Sequence, residues 1–138
     1  TGGGADAYLA TLVTRTIPGV RMAALTLGTR LSTRPSDNAI VGSSFGGVFA
    51  LHAALSRPDV FGMVGVLSPS IWWDDRVMLR RVRALDRTPR PRFWIDAGDG
   101  EGRDTVENAR LVHEALLRKG ARSVFYVGFG DRHDERAW

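Results

Sequence analysis

The sequence predicts an α/β fold: a mainly parallel sheet of about four strands, with helices on both faces. Two observations lead there. Four short apolar runs, Asn38–Gly42, Gly62–Leu67, Arg92–Ala97 and Ser123–Val127, have the length and composition of buried strands. Segments of helical periodicity separate them, and strands that alternate with helices pair in parallel under helical layers.

The elements follow in order. Thr1–Ala5 is glycine-rich and reads as a loop; Gly2-Gly3-Gly4 lacks the Gly-Lys-Ser/Thr that a phosphate loop requires. Asp6 is a good N-cap, and Leu9, Leu12, Val13 and Ile17 fall on one helical face until Pro18-Gly19 stops the pattern. Val20–Leu31 fits either helix or irregular chain. Arg34–Asp37 is a turn, and Asn38–Gly42 is the first strand. Ser43–Gly47 is a tight turn into a helix over Phe45–Ser56, which Arg57-Pro58 closes. The strand Gly62–Leu67 leads to a loop over Ser68–Asp75 and a helix over Arg76–Leu85. Thr88–Pro91 connects to the strand Arg92–Ala97, followed by the acidic, glycine-rich loop Gly98–Arg103. Asp104 is placed to cap a helix over Thr105–Lys119, whose buried stripe is Val106, Ala109, Val112, Ala115 and Leu116 and whose stop is Gly120. After Ser123–Val127 the chain ends in a loop, Gly128–Trp138.

Composition narrows the function classes. The 138 residues suit one domain, and a 43% hydrophobic fraction can form a core. With no cysteine in this sequence, disulfides, thiolate metal sites and cysteine nucleophiles drop out. The net charge of +4 comes from arginines spread along the chain. Their densest group, Arg76, Arg80, Arg81, Arg83 and Arg87, reads as a solvated helix face. It has neither the aromatic interleaving nor the module of a nucleic-acid binder. No apolar run approaches the roughly 18 residues of a membrane span.

Gly42-Ser43-Ser44-Phe45-Gly46 fits G-x-S-x-G. The bare string is weak, and a glycine-serine turn without chemistry is its plain alternative. The context adds weight: a buried strand precedes it and a helix follows, the setting of a nucleophile elbow in an α/β-hydrolase. Such a turn is tight enough to need small residues at Gly42 and Gly46. It lifts the Ser44 hydroxyl above the sheet edge at a helix N-terminus, where the Phe45 N–H can face an oxyanion.

A serine hydroxyl needs a base, and the base needs an orienting group. The chain has three histidines. His52 and His113 lie in helices and read as packed and surface or edge residues. His133 lies in the loop beyond the last strand, where such a fold presents its base. The acid belongs in the loop after the third strand. Asp104 reads as a cap and Asp96 as a strand end, which leaves Asp99 and Glu101 open on position alone. A calcium reading of this loop fails the EF-hand spacing.

With these residues located, the chain resembles the esterase family that includes enterochelin-type siderophore esterases and esterase D. The resemblance runs from about Gly3 to Trp138. It rests on Ile40–Gly47, Ala50–Leu55, Pro58–Gly62, Leu67-Ser68-Pro69-Ser70-Ile71-Trp72-Trp73, Asp96–Glu101 and His133-Asp134-Glu135 with Trp138. It implies ester hydrolysis through an acyl-serine on the C-terminal part of an α/β-hydrolase, acting on a small-molecule ester, with no metal or organic cofactor. It implies Glu101 as the acid, three residues after Gly98. It also implies a wall of the substrate cleft at Trp72 and Trp73, for which plain packing is the alternative.

The family has further strands before the elbow strand. Here 37 residues precede Asn38, with one helix and no convincing strand. The expectation is therefore a C-terminal piece of a larger esterase domain. An acyltransferase of the same fold would use the same residues, and a non-catalytic module would keep the fold alone.

Overall fold

The computed structural model describes residues 3–138. Thr1 and Gly2, part of the expected N-terminal loop, lie outside the described residues. The chain forms α1 (Ala5–Thr11), a π-helical turn (Leu12–Thr16), α2 (Ile17–Thr26) and a short 3₁₀ turn (Pro35–Asp37). Then come β1 (Ala39–Ser43), α3 (Phe45–Ser56), β2 (Met63–Leu67) and α4 (Trp73–Arg83). The series ends with β3 (Arg92–Gly98), α5 (Arg103–Arg118) and β4 (Arg122–Gly128).

The four strands pair in parallel in the order β1-β2-β3-β4. The α/β class and the parallel sheet match the sequence reading, whereas the expectation of helices on both faces is corrected to one. A sheet whose order runs in one direction, joined by right-handed crossovers, keeps every crossover helix on the same side. That side carries Val64, Val66, Phe93, Ile95 and Ala97, buried together with Leu51, Leu79, Val82, Val112 and Leu116 from α3, α4 and α5. The opposite side presents Val41, Trp94, Val124 and Tyr126, which are 46–61% exposed.

Three local readings also change. Pro18 does not stop the first helix. The preceding π-helical turn shifts the hydrogen-bond register, with the Ile17 N–H donating to the Leu12 carbonyl. Pro18 thereby enters at the start of α2, where its missing N–H costs little. Asp6 and Asp104 are not caps; α1 and α5 start at Ala5 and Arg103, with Gly4 and Gly102 at the N-cap positions. Both acids lie in first turns, where a negative charge favours the helix dipole. Within α4, Asp74, Asp75 and Arg76 have left-handed backbone (φ 48 to 58°), so regular helix begins at Val77, close to the expected start.

The arginine face of α4 is solvated except at Arg81. Its guanidinium reaches across to α3, 2.6 Å from His52 Nδ1 and 2.9 Å from Ser56 Oγ. His52 Nε2 lies 3.0 Å from the exposed Asp6 carboxylate, without hydrogen-bond alignment. Burial, then the Arg81 charge, holds the His52 imidazole below its ordinary value. Burial also lowers that of His113, whose Nδ1 is 2.9 Å from Ser123 Oγ.

The turn between β1 and α3 is the tightest constraint. Ser44 has φ 56° and ψ −122°, a conformation that costs about 1–3 kcal/mol outside glycine. A Cβ on Gly42 would lie 2.3 Å from the Gly46 carbonyl oxygen, so the elbow closes only over a hydrogen there. At Gly46 itself a Cβ meets nothing within 4 Å, so smallness is required at Gly42 and not at Gly46.

Two outcomes are expected in urea denaturation. Gly42→Ala should destabilise by about 1–3 kcal/mol through overpacking, whereas Gly46→Ala should be neutral or stabilising by about 0.5 kcal/mol. The histidine contributions should be present above about pH 6.5 and lost as the pH falls, because the unfolded chain takes up the protons first. His52→Gln should flatten the loss of stability between about pH 7 and pH 5.5; an unchanged slope would exclude His52 as a source.

Candidate active site

Because all strands run parallel, their carboxyl ends share one edge of the sheet, and four loops meet there. The end of β1 delivers Ser44. The loop after β2 delivers Ser68, Ser70, Trp72 and Trp73. The loop after β3 delivers Glu101, and the loop after β4 delivers His133.

Glu101 ends a 3₁₀ turn, Asp99–Glu101, that folds its side chain back on the strand. Oε1 accepts the Gly98 N–H at 2.9 Å and the Ser68 hydroxyl. Oε2 lies 2.5 Å from His133 Nδ1. The Glu101 side chain is 2% exposed and the His133 ring 43%, so a buried carboxylate meets a solvent-facing imidazole. Trp138 packs edge-to-face on that ring, with centroids 4.9 Å apart. The last loop passes directly over Gly98, where a Cβ would lie 2.2 Å from the Asp131 carbonyl oxygen. That close approach puts His133 within reach of Glu101.

The other acids have different partners. Asp99 Oδ1 accepts the Gly130 N–H at 2.6 Å and so ties down the His133 loop. Asp96 accepts from Trp94 Nε1 at 2.9 Å and from the Ser68 N–H at 3.2 Å. Burial pushes its carboxyl above the usual value. Among the described residues, no three His, Asp or Glu side chains group to hold a metal ion.

Ser44 stands at the N-terminus of α3, and its N–H donates to the Leu67 carbonyl at 2.9 Å. Its hydroxyl lies 3.2 Å from Ser70 Oγ and makes no hydrogen bond to His133. The geometry thus joins Glu101 to His133, and Ser44 to Ser70, at one edge. Phe45 opens α3, where its N–H has no partner within the helix. Its exposed ring meets Trp72 and Trp73 edge-on, at centroid distances of 5.8 and 6.3 Å. Trp72 is 59% exposed. Trp73 is half-buried and lines a cavity of about 440 Å³ between α1, α3 and α4, together with Phe45, Phe49, Val77, Met78 and Arg81. Sequence reasoning missed the contacts of Ser68, Ser70 and Trp138. The Ser-Pro-Ser-x-Trp-Trp stretch was the available signal for the two serines.

Comparison with known proteins places the chain in a family. Residues 2–137 match the family described as "Putative esterase". The chain is 37% identical over 130 residues to the siderophore enterobactin esterase of Emericella nidulans, covering 94% of this chain and 33% of that protein. It is 32% identical over 114 residues to the iron(III) enterobactin esterase of Escherichia coli K12, covering 78% and 28%. The enterobactin esterase of Shigella flexneri, solved with 2,3-dihydroxy-N-benzoyl-glycine, superimposes with a TM-score of 0.83 at 25% identity, over 95% of this chain and 35% of that one. The chain spans about a third of the length of these relatives. With the match running almost end to end, the chain belongs to this esterase family.

Proposed function

We propose that this chain carries the catalytic triad of a serine carboxylic-ester hydrolase, with Ser44 as nucleophile, His133 as base and Glu101 as its orienting acid. The observation that carries the reading is the Glu101–His133 pair, held on the same sheet edge as a strained, helix-opening serine. A surface pairing of no consequence would not require a carboxylate with three donors buried behind an exposed imidazole.

The steps follow from the atoms present. The Glu101 carboxylate accepts from His133 Nδ1, which leaves Nε2 unprotonated as the base. Ser44 Oγ attacks the ester carbonyl carbon and its proton passes to Nε2. The developing oxyanion takes a hydrogen bond from the Phe45 N–H at the positive end of α3. Collapse expels the alcohol, which leaves with the proton from Nε2. Water then repeats the sequence on the acyl-serine, releases the acid and restores Ser44. In this step the Ser44 hydroxyl directs its proton to His133, while its contact with Ser70, in which either hydroxyl can donate, can persist with Ser70 as the donor.

The substrate class we propose is a siderophore-type ester, with the ester group at Ser44 and an aromatic portion against Phe45, Trp72 and Trp73. The names of the relatives and the edge-on cluster of three exposed or half-exposed rings support it. Aromatic faces and edges suit planar ligands by offset and T-shaped contact. This activity belongs to the intact protein.

In the intact protein, a fluorophosphonate probe should label Ser44, and labelling should vanish in Ser44→Ala. Ser44→Ala and His133→Ala should each lower turnover of a short aryl ester by about 10⁴-fold or more. Labelling at another residue, or full turnover in Ser44→Ala, would refute the assignment. Trp72→Ala should raise KM for an aromatic ester more than for an acetyl ester of the same alcohol; equal effects would remove Trp72 from the substrate wall.

A further inference from the structure

We propose that Ser68 and Ser70, two buried hydroxyls on the loop after β2, are positioning residues that hold the two ends of the triad. The inference rests on the triad assignment above and adds to it the device that fixes its geometry.

The polar residues buried as whole residues among the described residues are Ser68, Ser70 and Asn108. Two of the three lie on one loop, separated by the buried Pro69, and each points at a different triad member. Pro69 fixes its own φ, so the spacing between the two hydroxyls is set by a stiff connector.

Ser68 acts on the acid. A carboxylate can rotate about its last bond and offer either oxygen. Here Glu101 Oε1 is occupied by two donors, the Ser68 hydroxyl and the Gly98 N–H. Oε2 is left to face His133. The side chain is 2% exposed, so water does not replace a lost donor at little cost. Ser68 also holds a left-handed backbone, φ 39°, which glycine would adopt more easily. A strained position therefore carries a side chain, and the polar contact that side chain makes is the one to Glu101.

Ser70 acts on the nucleophile. Its N–H donates to the Ser44 carbonyl at 3.2 Å, and its Oγ lies 3.2 Å from Ser44 Oγ. A hydroxyl donates once and accepts twice. Ser44 can therefore accept the Ser70 proton while giving its own to His133. Ser70 in that role restricts the rotamer of Ser44 and adds a donor to the oxygen as its charge grows.

The test uses the intact protein with four variants: Ser68→Ala, Ser68→Gly, Ser70→Ala and the Ser44→Ala control. Turnover is measured per folded molecule, with the folded fraction taken from thermal unfolding. Loss of a hydrogen bond to a charged group predicts that both Ser68 variants lower kcat about 10- to 100-fold, with KM unchanged. Ser70→Ala should lower kcat about tenfold, also with KM unchanged. Glycine relieves the backbone at residue 68 and alanine does not, so an equal loss in both isolates the hydroxyl. Wild-type kcat in folded Ser68→Gly would overturn the role of Ser68, as would a change confined to melting temperature. Wild-type kcat in Ser70→Ala would overturn that of Ser70. An inactive Ser44→Ala beside active Ser68 and Ser70 variants would sink this proposal alone; an active Ser44→Ala would sink the triad with it.

Discussion

The close approach of Gly42 to Gly46 governs the geometry of this site. With 2.3 Å between a notional Cβ and a carbonyl oxygen, the chain turns from strand to helix only where no side chain stands. The turn puts Ser44 in a conformation that costs free energy, and α3 offsets that cost by burying Ala50, Leu51, Ala53 and Ala54 against the sheet. Strain at Ser44 is thus supported by packing one to two turns further along the same helix. The half-buried hydroxyl at the helix mouth, the free N–H of Phe45 and the positive helix end are three consequences of one bend.

Parallel pairing does the rest. It brings the loops after β1, β2, β3 and β4 to one edge, although Ser44 and His133 lie far apart in the chain. Each loop then depends on another. Asp99 holds the backbone of Gly130, the Asp131 carbonyl passes over Gly98, Ser68 binds Glu101, and Glu101 binds His133. The pair at the centre is buried on the acid side and open on the imidazole side. That asymmetry leaves the ring facing solvent while its partner stays fixed.

Much of the fold was legible because punctuation and period agree. The elbow glycines and Arg57-Pro58 bound α3 at the residues observed, and apolar runs gave all four strands within one or two residues. Strand order is not written in any single segment, so buried-looking runs suggested helices on both faces where the order allows one. Pro18 misled because a π-helical turn, which has no short sequence signature, absorbs it. In the site, Ser44 and His133 follow from local context. Glu101 and Asp99 are separable only by resemblance or by structure, since both are acids in one loop. Their difference lies in contacts 31 and 32 residues away. The Ser68–Glu101 contact likewise spans 33 residues and depends on strand register.

The most direct measurement is a crystal structure of the intact protein carrying a phosphonate on Ser44. The account predicts His133 Nε2 within about 3.2 Å of a phosphonate or Ser44 oxygen, Nδ1 still paired with Glu101, and the phosphonyl oxygen on the Phe45 N–H. A His133 ring paired with another acid, or turned away from the adduct across the sheet edge, would contradict it.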